Sequence, residues 1–154
     1  MINSQFKRRL IDQGYDEQEV SGNTNIIFLS RWTPFACAVF GITGLILKSP
    51  LYFLILGGLT FIGPFRPWSF YDYMYIYFFS PILHQGPMPK HKIYRKTGCA
   101  IGALIYITSS VGFYVHNIYL AFIPASFIIC IAILAGIFGW CFVSAVHHFI
   151  LKVF

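Results

Sequence analysis

The chain has 154 residues, of which 57% are hydrophobic, 19% aromatic and only 10% charged, with a formal charge of +6. A soluble domain is about 25% charged, so this composition, with its apolar residues standing in long uninterrupted blocks, argues against a soluble core and for a single bilayer-embedded domain. Nor does the positive charge indicate nucleic acid: beyond Lys7-Arg8-Arg9 the basic residues flank the apolar blocks, where they suit lipid headgroups, and no soluble basic face is left over.

Residues 1–25 form a polar segment of mixed charge, and no apolar run of signal-peptide length follows its basic triplet. Ser4 can cap a short helix that presents Phe6 and Leu10 on one side and stops near Gly14, suited to the cytoplasmic face of a membrane. Residues 26–154 read as the membrane domain. Its first apolar block, 32–47, lies between Arg31 and Lys48, and the second, 49–65, between Lys48 and Arg66. At 1.5 Å per residue each covers roughly 25 Å, short of the bilayer core, so flanking aromatic and basic side chains have to reach the interface. Lys48-Ser49-Pro50 marks a tight turn, because proline fits the first turn of a new helix.

Residues 67–89 change character. Trp68, Phe70, Tyr71, Tyr73, Tyr75, Tyr77, Phe78 and Phe79 crowd around Asp72, and rings with a polar tip favour the headgroup level. The expectation is an interfacial segment along the cytoplasmic surface, with a deeper re-entrant placement as the alternative. Lys90 to Lys96 is then the densest run of positive charge and divides the domain in two. A third span, 97–115, and a fourth, 118–146, come next, joined by a His116-Asn117 turn, with Pro124 near the start of the last. The expected fold is an all-α integral membrane protein: four transmembrane helices as two hairpins, with the aromatic segment between them. Ten of the eleven lysines and arginines fall on one side of this arrangement and only Lys48 on the other, which places both termini in the cytoplasm.

Few residues carry chemistry. Cys37, Cys99 and Cys141 fall at similar cytoplasmic-leaflet depth, with Cys130 deeper in the last span, and the three offer a reducible thiol cluster or, with His147 or His148, a soft metal site. The plainer reading is that cysteine is a small hydrophobe suited to membrane helices. His147 and His148 are adjacent, so on a helix they point about 100° apart and do not share one metal; no metal or cofactor is assigned. Asp72 is the one carboxylate beyond Glu19, and no charged residue lies within a span, which argues against a proton- or ion-coupled carrier. Asp72 is expected to form an interfacial ion pair with Arg66, or with Arg31 or Arg95. Helix packing is better specified: Gly98 and Gly102, Ala132 and Gly136, and Ala135 and Gly139 are small-residue pairs, and Gly41, Gly44, Gly57 and Gly58 thin the first hairpin.

Asn23 and Arg31 before the first span, a proline-rich connection, Lys92-Ile93 entering the third span and Gly139-Trp140-Cys141 in the last resemble a family of small bacterial four-helix membrane proteins of unknown function. Some members are encoded with, or fused to, thioredoxin-like or rhodanese-like proteins. The family's last helix ends in Gly-x-Cys-x-x-Cys; Gly139 and Cys141 match, but Ser144 stands where the second cysteine belongs. The resemblance implies a fold and the bacterial inner membrane. The leading functional expectation is a non-catalytic accessory or scaffold subunit whose partners are membrane lipids and other membrane subunits or a second copy of itself. The alternatives are a thiol-redox or sulfur-handling protein using Cys141 with Cys37 or Cys99, and a pore for a small neutral solute.

Overall fold

The computed structural model describes residues 26–83 and 93–138, together with residues 8, 10, 11, 17 and 18. Every element among the described residues is helical: α1 (Ile26–Leu47), α2 (Pro50–Ile62), a 3-10 turn (Gly63–Phe65), α3 (Phe70–Met74), a π-helical turn (Tyr75–Phe79), α4 (Ser80–Leu83), α5 (Ile93–Tyr114) and α6 (Ile118–Phe138). Three are long and apolar enough to cross a membrane, over Phe28–Leu47, Lys96–Tyr114 and Ile118–Phe138. At 1.5 Å per residue these cover about 30 Å, the thickness of the hydrocarbon core. α2, with 13 residues, covers only about 20 Å. α1 begins ahead of the expected start at Trp32, and the part of the expected last span beyond Phe138 lies outside the described residues.

The two tight turns are built alike. Lys48 closes α1 in the left-handed region, at φ 50°, and its N–H donates to the Gly44 carbonyl at 3.0 Å. Ser49 then caps α2, its hydroxyl accepting the Tyr52 N–H at 3.3 Å, and Pro50 supplies a first residue that needs no donor. At the other turn His116 is left-handed, at φ 54°. The Asn117 N–H reaches back to the Gly112 carbonyl at 3.0 Å and the His116 N–H to Phe113 at 3.4 Å, a Schellman closure of α5. Asn117 also starts α6, its side-chain oxygen accepting from the Leu120 N–H at 3.1 Å.

Beyond the turns the pairs diverge. α5 packs along α6, with a β-carbon at Gly112 brought to 2.3 Å from the Ala121 nitrogen, so only glycine fits there. α1 and α2 touch mainly near their turn; α1 leans on α6 and α2 on α5. The Gly136 backbone faces the Phe35 ring, and Gly57 faces Ile107 and the Ala103 carbonyl. These are the close approaches that small residues permit where lipid supplies no hydrophobic drive between helices.

The space between α1 and α2 is filled by the aromatic segment. Phe70 and Tyr71 meet Phe40, Tyr75 meets Trp32 and Phe28, and Phe79 meets Trp32. The contacts move backward along α1 as the segment runs forward, so it lies antiparallel to α1 and resumes the direction of α2 after a break at residues 63–69. The aromatic segment therefore runs lengthwise beside α1, held there by ring packing, with Tyr71 and Tyr75 buried. The main core joins Phe53, Leu56, Tyr71, Tyr106, Ala125, Ile129 and Ala132. Leu10 of the N-terminal segment is buried as well.

Candidate functional site

Two buried polar residues, Ser69 and Asp72, stand at the start of α3. Ser69 caps that helix: the Asp72 N–H donates to the Ser69 hydroxyl at 3.3 Å, and Asp72 Oδ2 accepts the Ser69 N–H at 2.9 Å. This is a capping box, in which serine and the residue three positions on satisfy each other's backbone donors. The Ser69 hydroxyl also donates to Asp72 Oδ2 at 2.7 Å, and the Thr33 hydroxyl of α1 donates to Oδ1. Asp72 is fully buried, a position that a carboxylate holds only when donors surround it. The Trp32 indole N–H donates to the Tyr71 carbonyl at 2.9 Å, so two neighbouring residues of α1 fasten the first turn of α3.

A second cluster lies deeper. Tyr106 of α5 donates its hydroxyl proton to the Cys37 carbonyl at 3.1 Å, and Cys37 Sγ stands 3.0 Å from the Tyr106 hydroxyl oxygen. The Tyr71 hydroxyl meets Thr60 Oγ1 of α2 at 3.3 Å, and Thr60 in turn donates to the Leu56 carbonyl at 2.7 Å. The Tyr71 hydroxyl acts here as a hydrogen-bonding group. The cluster joins α1, α2, α3 and α5, with each polar side chain placed against another.

Of the thiol candidates, Cys37 stands against Tyr106 and Cys99 against the chain break. A β-carbon at Gly63 would lie 3.3 Å from Cys99 Cβ. Cys99 and Tyr106 are about 10 Å apart along α5, two helical turns, so Cys37 and Cys99 belong to different levels of the bundle. Cys130 is exposed on α6, and no disulfide joins these three. Cys141, His147, His148 and Gly139 lie outside the described residues. Gly102 is buried with Ile128 and Thr60 as neighbours, Gly98 is half-buried, and Ala132 belongs to the main core. Arg66 is exposed at the end of the 3-10 turn, where it lines an open groove. Thr33, Thr60, Ser69 and Tyr106 escaped the sequence reading. Ser69-x-x-Asp72 is the one signal that marks any of them, as a helix start.

The fold and these clusters define a helical protein whose long helices suit a membrane and whose two polar clusters bind its own elements together. The chain belongs to the family described as Domain of unknown function (DUF4395), which matches residues 29–152. No curated protein and no solved structure matches it.

Proposed function

We propose that the chain is a non-catalytic scaffold or accessory subunit of an assembly in the bacterial cytoplasmic membrane, with both termini on the cytoplasmic side. In this reading α1, α5 and α6 make three crossings. The other crossing is the broken path of α2 and then the aromatic segment, which continues in the same direction. Among the described residues, Arg31, Arg66 and Lys96 support the orientation, since they stand away from the α1–α2 turn that carries Lys48.

The observation that carries the reading is how the interior is filled. Phe53, Tyr71 and Tyr106 are buried at the centre, where a solute path would otherwise run. The polar side chains around them are engaged with one another, and the glycines at close approaches serve contacts inside the bundle. Among the described residues, the thiol and hydroxyls of this central cluster face one another. Phe78 and Ile82, one helical turn apart, are 67% and 74% exposed beyond the core, and they form the edge offered to a partner.

Purification in mild detergent, with the mass of the particle and of every associated chain determined, tests the reading. The expected result is an assembly of fixed stoichiometry that a Phe78→Ala, Ile82→Ala double variant dissociates without loss of its own fold. A lone monomer under the mildest conditions overturns the reading.

A further inference from the structure

The break between α2 and α3 bears an open groove of about 440 Å³. One side is aliphatic, formed by Leu59 and Ile62 from the end of α2, and the other is aromatic, formed by Trp68, Tyr73 and Tyr77. The rings make a continuous series. Trp68 meets Tyr73 edge-on at 5.8 Å, and Tyr73 lies nearly parallel to Tyr77 at 6.3 Å and 14°. Arg66 lines the same groove, and none of its lining residues is acidic. The Arg66 guanidinium has no hydrogen-bond or ion-pair partner among the described residues.

The depth of the groove is set by α5. Gly63, at the end of α2, packs on Cys99, and Lys96 stands three residues earlier on the same helix, about 4.5 Å along its axis. The groove therefore opens at the level where basic side chains end a membrane helix. Phosphate belongs there, and guanidinium is the side chain whose planar fork matches phosphate oxygens two at a time. Tyr73 and Tyr77, which line the same groove, carry hydroxyl donors, while the aliphatic side continues along α2.

Resting on the membrane-spanning reading above, we propose that this groove binds one anionic phospholipid, its phosphate on Arg66 beside the Tyr73 and Tyr77 hydroxyls and an acyl chain along Leu59 and Ile62. A single positive charge with no carboxylate beside it favours an anionic headgroup over a zwitterionic one, whose ammonium finds no counter-ion in the groove.

The test reconstitutes the full chain in nanodiscs of equimolar phosphatidylcholine and phosphatidylglycerol, releases it gently and counts retained lipids by native mass spectrometry. One phosphatidylglycerol per chain is expected to persist, favoured about tenfold over phosphatidylcholine. Arg66→Gln removes that preference, and Lys48→Gln, which removes an equal charge at the opposite end, leaves it. Ile62→Trp, which fills the groove with Arg66 intact, lowers retention independently and keeps the test decisive should Arg66→Gln fold poorly. Equal losses from Arg66→Gln and Lys48→Gln, or unchanged retention in Ile62→Trp, overturn the proposal. So does displacement of the lipid by excess inorganic phosphate, which would make the groove a site for soluble anions. Failure to enter the nanodiscs at all overturns the membrane reading and this proposal with it.

Discussion

The two tight turns of this protein solve the same local problem, yet the helices they join end up in opposite relations. Lys48 and His116 both take the left-handed conformation, and Ser49 and Asn117 each cap the next helix. After His116-Asn117, α5 and α6 remain in contact because Gly112 meets the Ala121 backbone and Ala121 and Ala125 are small and buried. After Lys48-Ser49, Phe40 and Tyr52 stand where α1 and α2 would close, the Tyr52 hydroxyl donating to the Phe40 carbonyl at 3.2 Å. The helices lean apart, and the aromatic segment enters. Turn geometry thus brings two helices side by side at one end only. The size of the side chains along them decides whether they pack together or leave space for a third element.

The strongest way to break this comparison is to enlarge the small side of it. Gly112→Leu places a side chain where the first carbon alone would stand 2.3 Å from the Ala121 nitrogen and 2.4 Å from the Leu120 carbonyl carbon. Backbone cannot move aside as a flexible side chain can, so α5 and α6 have to separate. The expected cost is roughly 3 kcal/mol or more, seen as loss of the folded fraction or a large fall in unfolding temperature in detergent. Gly58→Ala is the matched control. Nothing lies within 4 Å of a β-carbon there, and the change is expected to stay within about 0.5 kcal/mol of wild type. Comparable losses from both would show that the turn, and not close packing, holds α5 to α6.

The sequence displays the long helices because charges are absent from their apolar blocks, and it displays the helix starts because Ser49-Pro50 and Asn117 are local capping chemistry. What helix neighbours what is not local. Tyr106 reaches Cys37 across 69 positions of chain, and Trp32 reaches Tyr71 across 39. No periodicity in either segment specifies those pairings. The expected ion pair of Asp72 rests on the principle that a charge in an apolar protein seeks an opposite charge. Hydroxyl and backbone donors from Ser69 and Thr33 also reach its carboxylate, and the Ser69-x-x-Asp72 spacing holds half of that part of the information. The other half, Thr33, depends on how α1 faces the break. The direction of the aromatic segment is equally hidden, because rings that suit an interface also suit a buried wedge. The difference between them lies in Phe28, Trp32 and Phe40 on another helix.

The open side of the comparison is sharpened by removing the carboxylate that fastens the wedge. Asp72→Ala leaves the Ser69 N–H and the Thr33 hydroxyl without their acceptor in a buried setting and deletes half of the capping box. A loss of about 2 kcal/mol is expected, read from thermal unfolding. The aromatic segment should be the part that loosens, so proteolysis near Phe70 to Phe79 should accelerate while α5 and α6 stay protected. Uniform exposure of the whole bundle instead would mean that the wedge and the α5–α6 pair form one cooperative unit.

A smaller effect is expected where the two sides meet, at Tyr106. Its hydroxyl joins α5 to α1 through the Cys37 carbonyl and thiol, at 3.1 and 3.0 Å. Tyr106→Phe keeps the ring, which stands 6.0 Å from Phe53, and removes only the polar bridge, so about 1 kcal/mol is expected. Part of that belongs to the thiol and part to the carbonyl, and Cys37→Ala separates them. If the sulfur is a true partner, the double variant should lose less than the two single losses combined, by about 0.5 kcal/mol. Strict additivity would assign the bridge to the carbonyl alone and leave Cys37 as a small apolar side chain beside it. In that event the contact between α1 and α5 rests on one backbone acceptor, and any residue small enough to pass Tyr106 should serve at position 37.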